Sequence, residues 1–234
     1  ALAAIKLLEK NHPDKTGKPF FLALGFYRPH TPYVAPTHHA KHYPLKKIKP
    51  VLEKEGDRDD IPQAALPDRP HQRELTMAKR KEIIQAYYAS TTLMDACLGR
   101  VLDALEKLKL KDNTIVVFLS DHGYHLGHHG LWQKSDLFEG SARVPLIISV
   151  PGMTTAGKDT SALTELVDLY PTLADLCGLT TPEHVMGDSL LPTIQRPLRR
   201  GKEAAYTVTR IRPKGFRTKG QPNPLGRTVR TERY

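Results

Sequence analysis

The order of elements along this chain predicts an α/β fold, a sheet with helices on both faces. Three observations carry that expectation. The apolar run Thr114 to Leu119 reads as a buried strand. Ahead of it, Thr76 to Leu110 repeats Ile83, Ile84, Tyr87, Tyr88, Met94, Leu98, Val101, Leu102, Leu105 and Leu108 at helical spacing, which predicts one long helix or two in succession. Behind it, a second apolar run from Val144 to Val150 is ended by Pro151-Gly152.

The remaining elements follow in order. Residues 1–10 read as part of an amphipathic helix. Pro19 to Phe26 is a short apolar run and predicts a buried strand. Arg28 to Pro36 holds three prolines, which remove backbone donors and force extended geometry, so it predicts a shaped loop. Residues 44–74, rich in Pro and charge, predict a long surface excursion. Lys111-Asp112-Asn113 breaks the long helix. Leu163 to Leu176 predicts a strand end and then a helix, with Asp168 as its cap and Pro171 in its first turn. Beyond Gly178 the pattern changes. Ala204 to Arg210 and Thr228 to Tyr234 predict short strands that begin a smaller antiparallel subdomain. The expected division is residues 1–178 as one α/β domain and 179–234 as a linker and the start of that subdomain.

The 234 residues carry a net charge of +10, unevenly placed. Residues 196–234 hold twelve Lys or Arg against two Glu, so the rest of the chain is neutral. A solvated surface accounts for such a segment, and so does a face that attracts polyanions. No zinc-ligand spacing or nucleic-acid signature accompanies it, so no nucleic-acid partner is expected. No segment is long and apolar enough to predict a membrane span. Two cysteines are too few for a disulfide framework, and Cys97 and Cys177 read as small buried apolar residues. The chain opens on what reads as mid-helix and closes without a tail, as an internal piece of a longer protein would.

Chemistry concentrates in Ser120 to Lys134. Asp121 offers a hard carboxylate oxygen and His122 an imidazole nitrogen, both suited to a divalent cation. They end a predicted strand, where open α/β sheets place ligands. The alternative is that Asp121 caps a turn and His122 packs locally. Lys134 is either an ordinary surface lysine or a cation that holds an anionic substrate. His125, His128 and His129 match no firm zinc motif and read as rim residues. His30, between Pro29 and Thr31-Pro32, is either a surface residue or a preorganised donor or general acid. His38, His39 and His42 receive no role.

These residues resemble a known family. Ser120-Asp121-His122-Gly123 through Gly127-His128-His129-Gly130-Leu131-Trp132-x-Lys134, then Val144-Pro145-Leu146-Ile147 and Val150-Pro151-Gly152, resemble the type I, formylglycine-dependent sulfatases. Phe20 to Pro32, with its Gly-aromatic-x-basic-Pro-His-x-Pro loop, resembles the iduronate-2-sulfatase branch. Gly226 to Tyr234 is similar to the strand that opens that family's C-terminal subdomain. The resemblance implies an alkaline-phosphatase-like α/β/α sandwich, here partial. It implies a sulfuric ester hydrolase acting on a sulfated sugar, a glycosaminoglycan-like chain or a small sulfate ester. It implies calcium rather than magnesium, with Asp121 and His122 as ligands. Lys134 and His30 would be catalytic and bind the sulfate, and Arg28 would assist in binding. A secreted, periplasmic or lysosomal location goes with it.

The departures are specific. The family's formylglycine arises in a Cys/Ser-x-Pro-x-Arg motif, and neither Cys97-Leu98-Gly99-Arg100 nor Cys177-Gly178-Leu179-Thr180 has that context. No nucleophile is expected in this chain. Formylglycine and the other metal ligands are expected in a preceding part, and the chain alone is expected to be inactive. The alternatives are a phosphatase or phosphonate monoester hydrolase of the alkaline phosphatase superfamily, or a non-catalytic polyanion-binding fragment using residues 196–234.

Overall fold

The structure is a computed structural model and describes residues 1–67, 69–210 and 224–233. Two compact units divide the chain. The first comprises residues 1–58, 69–114 and 125–132, and the second 59–68, 115–124 and 133–234.

The first unit is built on helices. Helix α1 (Leu2–Lys10) buries Ala4 and Leu8, one turn apart on one face. Asn11 ends it, its side chain donating to the Leu7 carbonyl at 2.8 Å. His12 then caps α2 (Pro13–Thr16), where Pro13 sits at a position that has no use for an N–H. Helix α3 (Thr37–Ala40) precedes the excursion predicted at 44–74, and the short α4 (Pro70–Arg73) lies at its end. Among its described residues that excursion carries 3-10 turns and no strand; it buries Ile48 and, in the stretch 59–68 that belongs to the second unit, Leu66. The long periodic stretch is one helix, α5 (Met77–Lys107). Thr76 caps it, its hydroxyl accepting from the Lys79 N–H at 3.3 Å. Its buried Ile84 meets Ile48 and Trp132 in the core of this unit, with Tyr43, Leu75 and Leu126 packed around them.

One predicted strand fails here. Pro19 to Phe26 carries no strand pairing, and Phe21 is 84% exposed. An apolar run becomes a strand only when a neighbour takes its backbone groups, and none of the described residues does so.

The second unit contains β1 (Val116–Leu119), within the predicted run. β2 (His125–Leu126) belongs to the first unit. It forms a two-residue ribbon with β3 (Trp132–Gln133), where the chain passes from the first unit to the second. After the short α6 (Glu139–Ala142), β4 (Leu146–Ser149) pairs antiparallel with β1, Val116 opposite Ser149 and Leu119 opposite Leu146. Helix α7 (Leu169–Leu176) ends at Cys177 and a left-handed Gly178. Helix α8 (Leu191–Gln195) precedes the hairpin of β5 (Ala204–Arg210) and β6 (Leu225–Thr231), antiparallel with Ala204 opposite Thr231. β5 forms over the predicted segment, β6 begins three residues before the predicted Thr228 and ends at Thr231, and Tyr234 lies outside the described residues. Neither cysteine is buried: Cys97 is half-buried on α5, and Cys177 is exposed at the C-terminal end of α7.

Asp168 stands at the N-cap position of α7, but its side chain does not cap that helix. It is fully buried, accepting from the Glu165 N–H at 2.9 Å and the Asp188 N–H at 2.9 Å. Lys202 Nζ lies 2.6 Å from Asp168 and 2.7 Å from Glu165. Burial alone would pull the Lys202 ammonium down, but the hydrogen bonds and charges of Asp168 and Glu165 outweigh it, and the net direction is up.

Candidate active site

Asp121 and His122 stand immediately beyond β1, where the sequence places them. The backbone holds that turn. Ser120 Oγ donates to the His122 carbonyl at 2.8 Å, and the Gly123 N–H donates to the Ser141 carbonyl at 2.8 Å. A Cβ on Gly123 would collide with the Gly140 carbonyl oxygen, so this close approach requires glycine.

His122 Nδ1 lies 2.8 Å from the Gly123 carbonyl. A carbonyl only accepts, so Nδ1 carries the proton, and the Nε2 of the neutral ring presents its lone pair. That Nε2 is 3.6 Å from Asp121 Oδ2, and the Asp121 side chain is 86% exposed. One carboxylate oxygen and one imidazole lone pair at this separation suit two positions in the shell of a single divalent cation. Among the described residues no group of three or more His, Cys, Asp or Glu side chains converges on a metal position. The pair therefore fits as part of a ligand set rather than a complete one.

Lys134 lies in the same unit, half-buried, between Gln133 at φ 76 and Ser135 at φ 77. Two departures into the left-handed region, on either side of one residue and both by residues with side chains, are uncommon. Such strain collects where a site needs it. Nothing in the amino-acid types at 133 and 135 signals it.

Arg28 and His30 belong to the first unit, on a loop that bonds to itself. The His30 N–H donates to the Tyr27 carbonyl at 3.0 Å, and Tyr27 Oη donates to the Thr31 carbonyl at 2.8 Å. Arg28 Nη1 donates to the His30 carbonyl at 3.2 Å, with its guanidinium 5.1 Å from the centre of the Tyr27 ring. His30 Nδ1 donates to the Thr31 carbonyl at 2.7 Å, so its exposed Nε2 is the position left for a ligand or a proton.

The neighbouring histidines divide. His128 is exposed, as a rim residue would be. His125 is 1% exposed and belongs to the interior of the first unit, because it faces inward from β2. His129, at φ 52, pairs through Nδ1 with Asp57 Oδ2 at 2.9 Å, and Arg58 binds its carbonyl through Nε and Nη2. The charged excursion thus grips the Gly127–Trp132 turn, and Arg69 adds a bond to the Trp132 carbonyl at 2.9 Å. The length of that excursion was the only sequence signal for this role.

Comparisons with known sequences agree on one family. The sequence description of the Sulfatase family matches residues 3–179. Iduronate 2-sulfatase of Mus musculus is 36% identical over 218 residues, covering 76% of this chain and 39% of that protein. A sulfatase of Formosa agariphila is 38% identical over 198 residues, covering 82% of this chain and 38% of that protein. Among solved structures, the phosphonate monoester hydrolase of Silicibacter pomeroyi matches with a TM-score of 0.75 at 26% identity, over 88% of this chain and 43% of its own. The chain spans about two-fifths of the length of the curated relatives it matches. These likenesses bear out the expected fold class, a partial alkaline-phosphatase-like α/β/α sandwich.

Proposed function

The chain belongs to the sulfatase family, and from that premise we propose that its parent protein hydrolyses sulfate esters of a sugar or a glycosaminoglycan-like chain. The observation that carries the reading is the Asp121–His122 pair, its imidazole tautomer fixed by Gly123, at the end of β1 in a chain of this family. The family implies a metal and a formylglycine. Asp121 Oδ2 and His122 Nε2 are the atoms that would hold the metal, calcium in this proposal. A bound calcium would neutralise negative charge on sulfate oxygens.

Each remaining side chain has a task that its own chemistry permits. Lys134 would place an ammonium against a sulfate oxygen, favouring the state in which negative charge moves onto the leaving group. Arg28 would add a guanidinium to sulfate binding. His30 would give the proton on Nε2 to the departing alkoxide oxygen. What remains is the neutral Nδ1–H tautomer, which the Thr31 carbonyl already stabilises. Poor alkoxide leaving groups need such an acid.

The match ending at residue 179 supports reading residues 1–178 as part of the catalytic domain and 179–234 as linker and subdomain. A secreted, periplasmic or lysosomal location fits this reading, and no described helix is long and apolar enough to cross a membrane. The phosphonate monoester hydrolase likeness supports a second reading, phosphate or phosphonate ester hydrolysis. Turnover of matched aryl sulfate, phosphate and phosphonate esters by the full-length protein decides between them. The sulfatase reading expects sulfate to be preferred and the 234-residue chain alone to be inactive. His30→Gln should lower turnover of alkyl sulfates roughly 100-fold and of nitrophenyl sulfate far less; equal losses on both would remove His30 from the acid role.

A further inference from the structure

Between Asp14 and Glu53 the chain carries seven Lys or Arg, four His and no acidic residue. Three of those histidines gather on α3 and the turn after it. The His38 and His39 rings are 4.1 Å apart and the His39 and His42 rings 6.5 Å apart. His38, Lys41 and His42 are exposed. His39 is half-buried, and its Nδ1 is buried without a hydrogen-bond partner.

Tyr43, beside this cluster, is held by uncharged groups. The Tyr43 ring lies 6.4 Å from that of His42, and α5 contributes the Tyr88 ring at 5.3 Å from Tyr43. Also from α5, Thr92 Oγ1 bonds the Tyr43 hydroxyl at 2.7 Å, and Gln85 Nε2 donates to the Tyr43 carbonyl at 2.8 Å. Burial first, and then the like charges of His38 and His42, hold the His39 imidazole below its ordinary value, with no carboxylate acting on it. Three adjoining imidazoles beside the Lys41 ammonium repel one another once protonated, and an anion between them would offset that repulsion. An anion brought there favours every imidazolium at once, so its binding takes up protons.

We propose that His38, His39 and His42, with Lys41 among them, form an accessory binding site for the sulfate groups of a polyanionic glycan, strengthened as the imidazoles protonate. The glycan rather than another polyanion rests on the sulfate-ester reading above. The site itself rests on the cluster.

The test is binding of the full chain to heparin, as a sulfated glycan probe, at pH 5.5 and 7.5 and constant salt. Wild type should bind on the order of tenfold more tightly at the lower pH. The variant H38Q/H39Q/H42Q should lose most of that gain, and H38Q/H42Q, which alters exposed residues alone, about half. Calorimetry in buffers of different ionisation enthalpy should show proton uptake in wild type that the triple variant lacks. A triple variant that keeps the pH gain would overturn the site. Single-stranded DNA of matched charge bound with the same affinity and pH gain would overturn the glycan assignment. A small aryl sulfate tests the sulfatase reading separately, since its turnover does not depend on a second sulfate. Absent turnover by the full-length protein, with pH-dependent binding intact, would count against that reading and not against the cluster.

Discussion

Two aspartates of the second unit, 47 residues apart in sequence, show opposite uses of the same side chain. Asp168 is fully buried and saturated, with two backbone N–H groups and the Lys202 ammonium on its oxygens. Thr172 extends the cluster, donating to the Asp168 carbonyl at 2.6 Å and accepting from the Leu190 N–H at 2.8 Å. Asp121 is 86% exposed, and its closest charged neighbour is His122 at 3.6 Å. A buried carboxylate is tolerated only when its lone pairs are used, so saturation marks scaffold. A carboxylate left with acceptor capacity 3.6 Å from an imidazole nitrogen fits the metal-binding role proposed for it.

The largest effect should come from the scaffold. Asp168→Ala leaves Lys202 half-paired and two N–H groups unsatisfied, and should cost about 3–5 kcal/mol of stability in urea unfolding. A cost below 1 kcal/mol would break the contrast. Asp121→Asn in the full-length protein should reverse the pattern. Turnover should fall roughly 100-fold or more, with the thermal midpoint within about 2 °C of wild type. A large loss of stability there would make Asp121 structural after all.

Smaller effects sharpen the comparison. Gly123→Ala should cost about 1–3 kcal/mol, because the added methyl meets the Gly140 carbonyl. It should also weaken metal binding by displacing the two side chains before it, which metal titration of the full-length protein would read. The smallest effect is in pH. The Lys202 value is raised in the folded chain, so its contribution is complete below the ordinary lysine value of about 10.4. It is lost as pH rises through the higher folded value. Unfolding midpoints should therefore fall more steeply above pH 10.4 in wild type than in Lys202→Gln; parallel curves would leave Lys202 out of the cluster's energetics.

Much of this was legible in the sequence because it is local. Helical spacing gave the stretch that forms α5 as one helix, and apolar runs gave β1 and β4. The position of Asp121-His122 after a strand, and the proline-flanked His30, could be read from neighbouring residues alone. The Pro19–Phe26 run failed as a strand because pairing is supplied by another segment and not by the run itself. His125 and Asp168 were misread for a related reason. A histidine in a His-rich stretch looks like a rim residue, and an acid before a helix looks like its cap, until packing turns the side chain to other partners.

What the sequence alone determined, then, is the set of chemical groups and their order along the chain. That was enough for the fold class and for the identity of Asp121, His122, Lys134, Arg28 and His30 as candidates. The tertiary structure decided which lone pairs remain available. It put the protons of His122 and His30 on Nδ1 through carbonyls one residue ahead. It placed Lys134 between two left-handed residues, locked the Gly127–Trp132 turn with Asp57 and Arg58, and sealed Asp168 beneath Lys202. Hydrogen-bond saturation depends on where distant backbone groups come to rest, and no property of a single residue type encodes that.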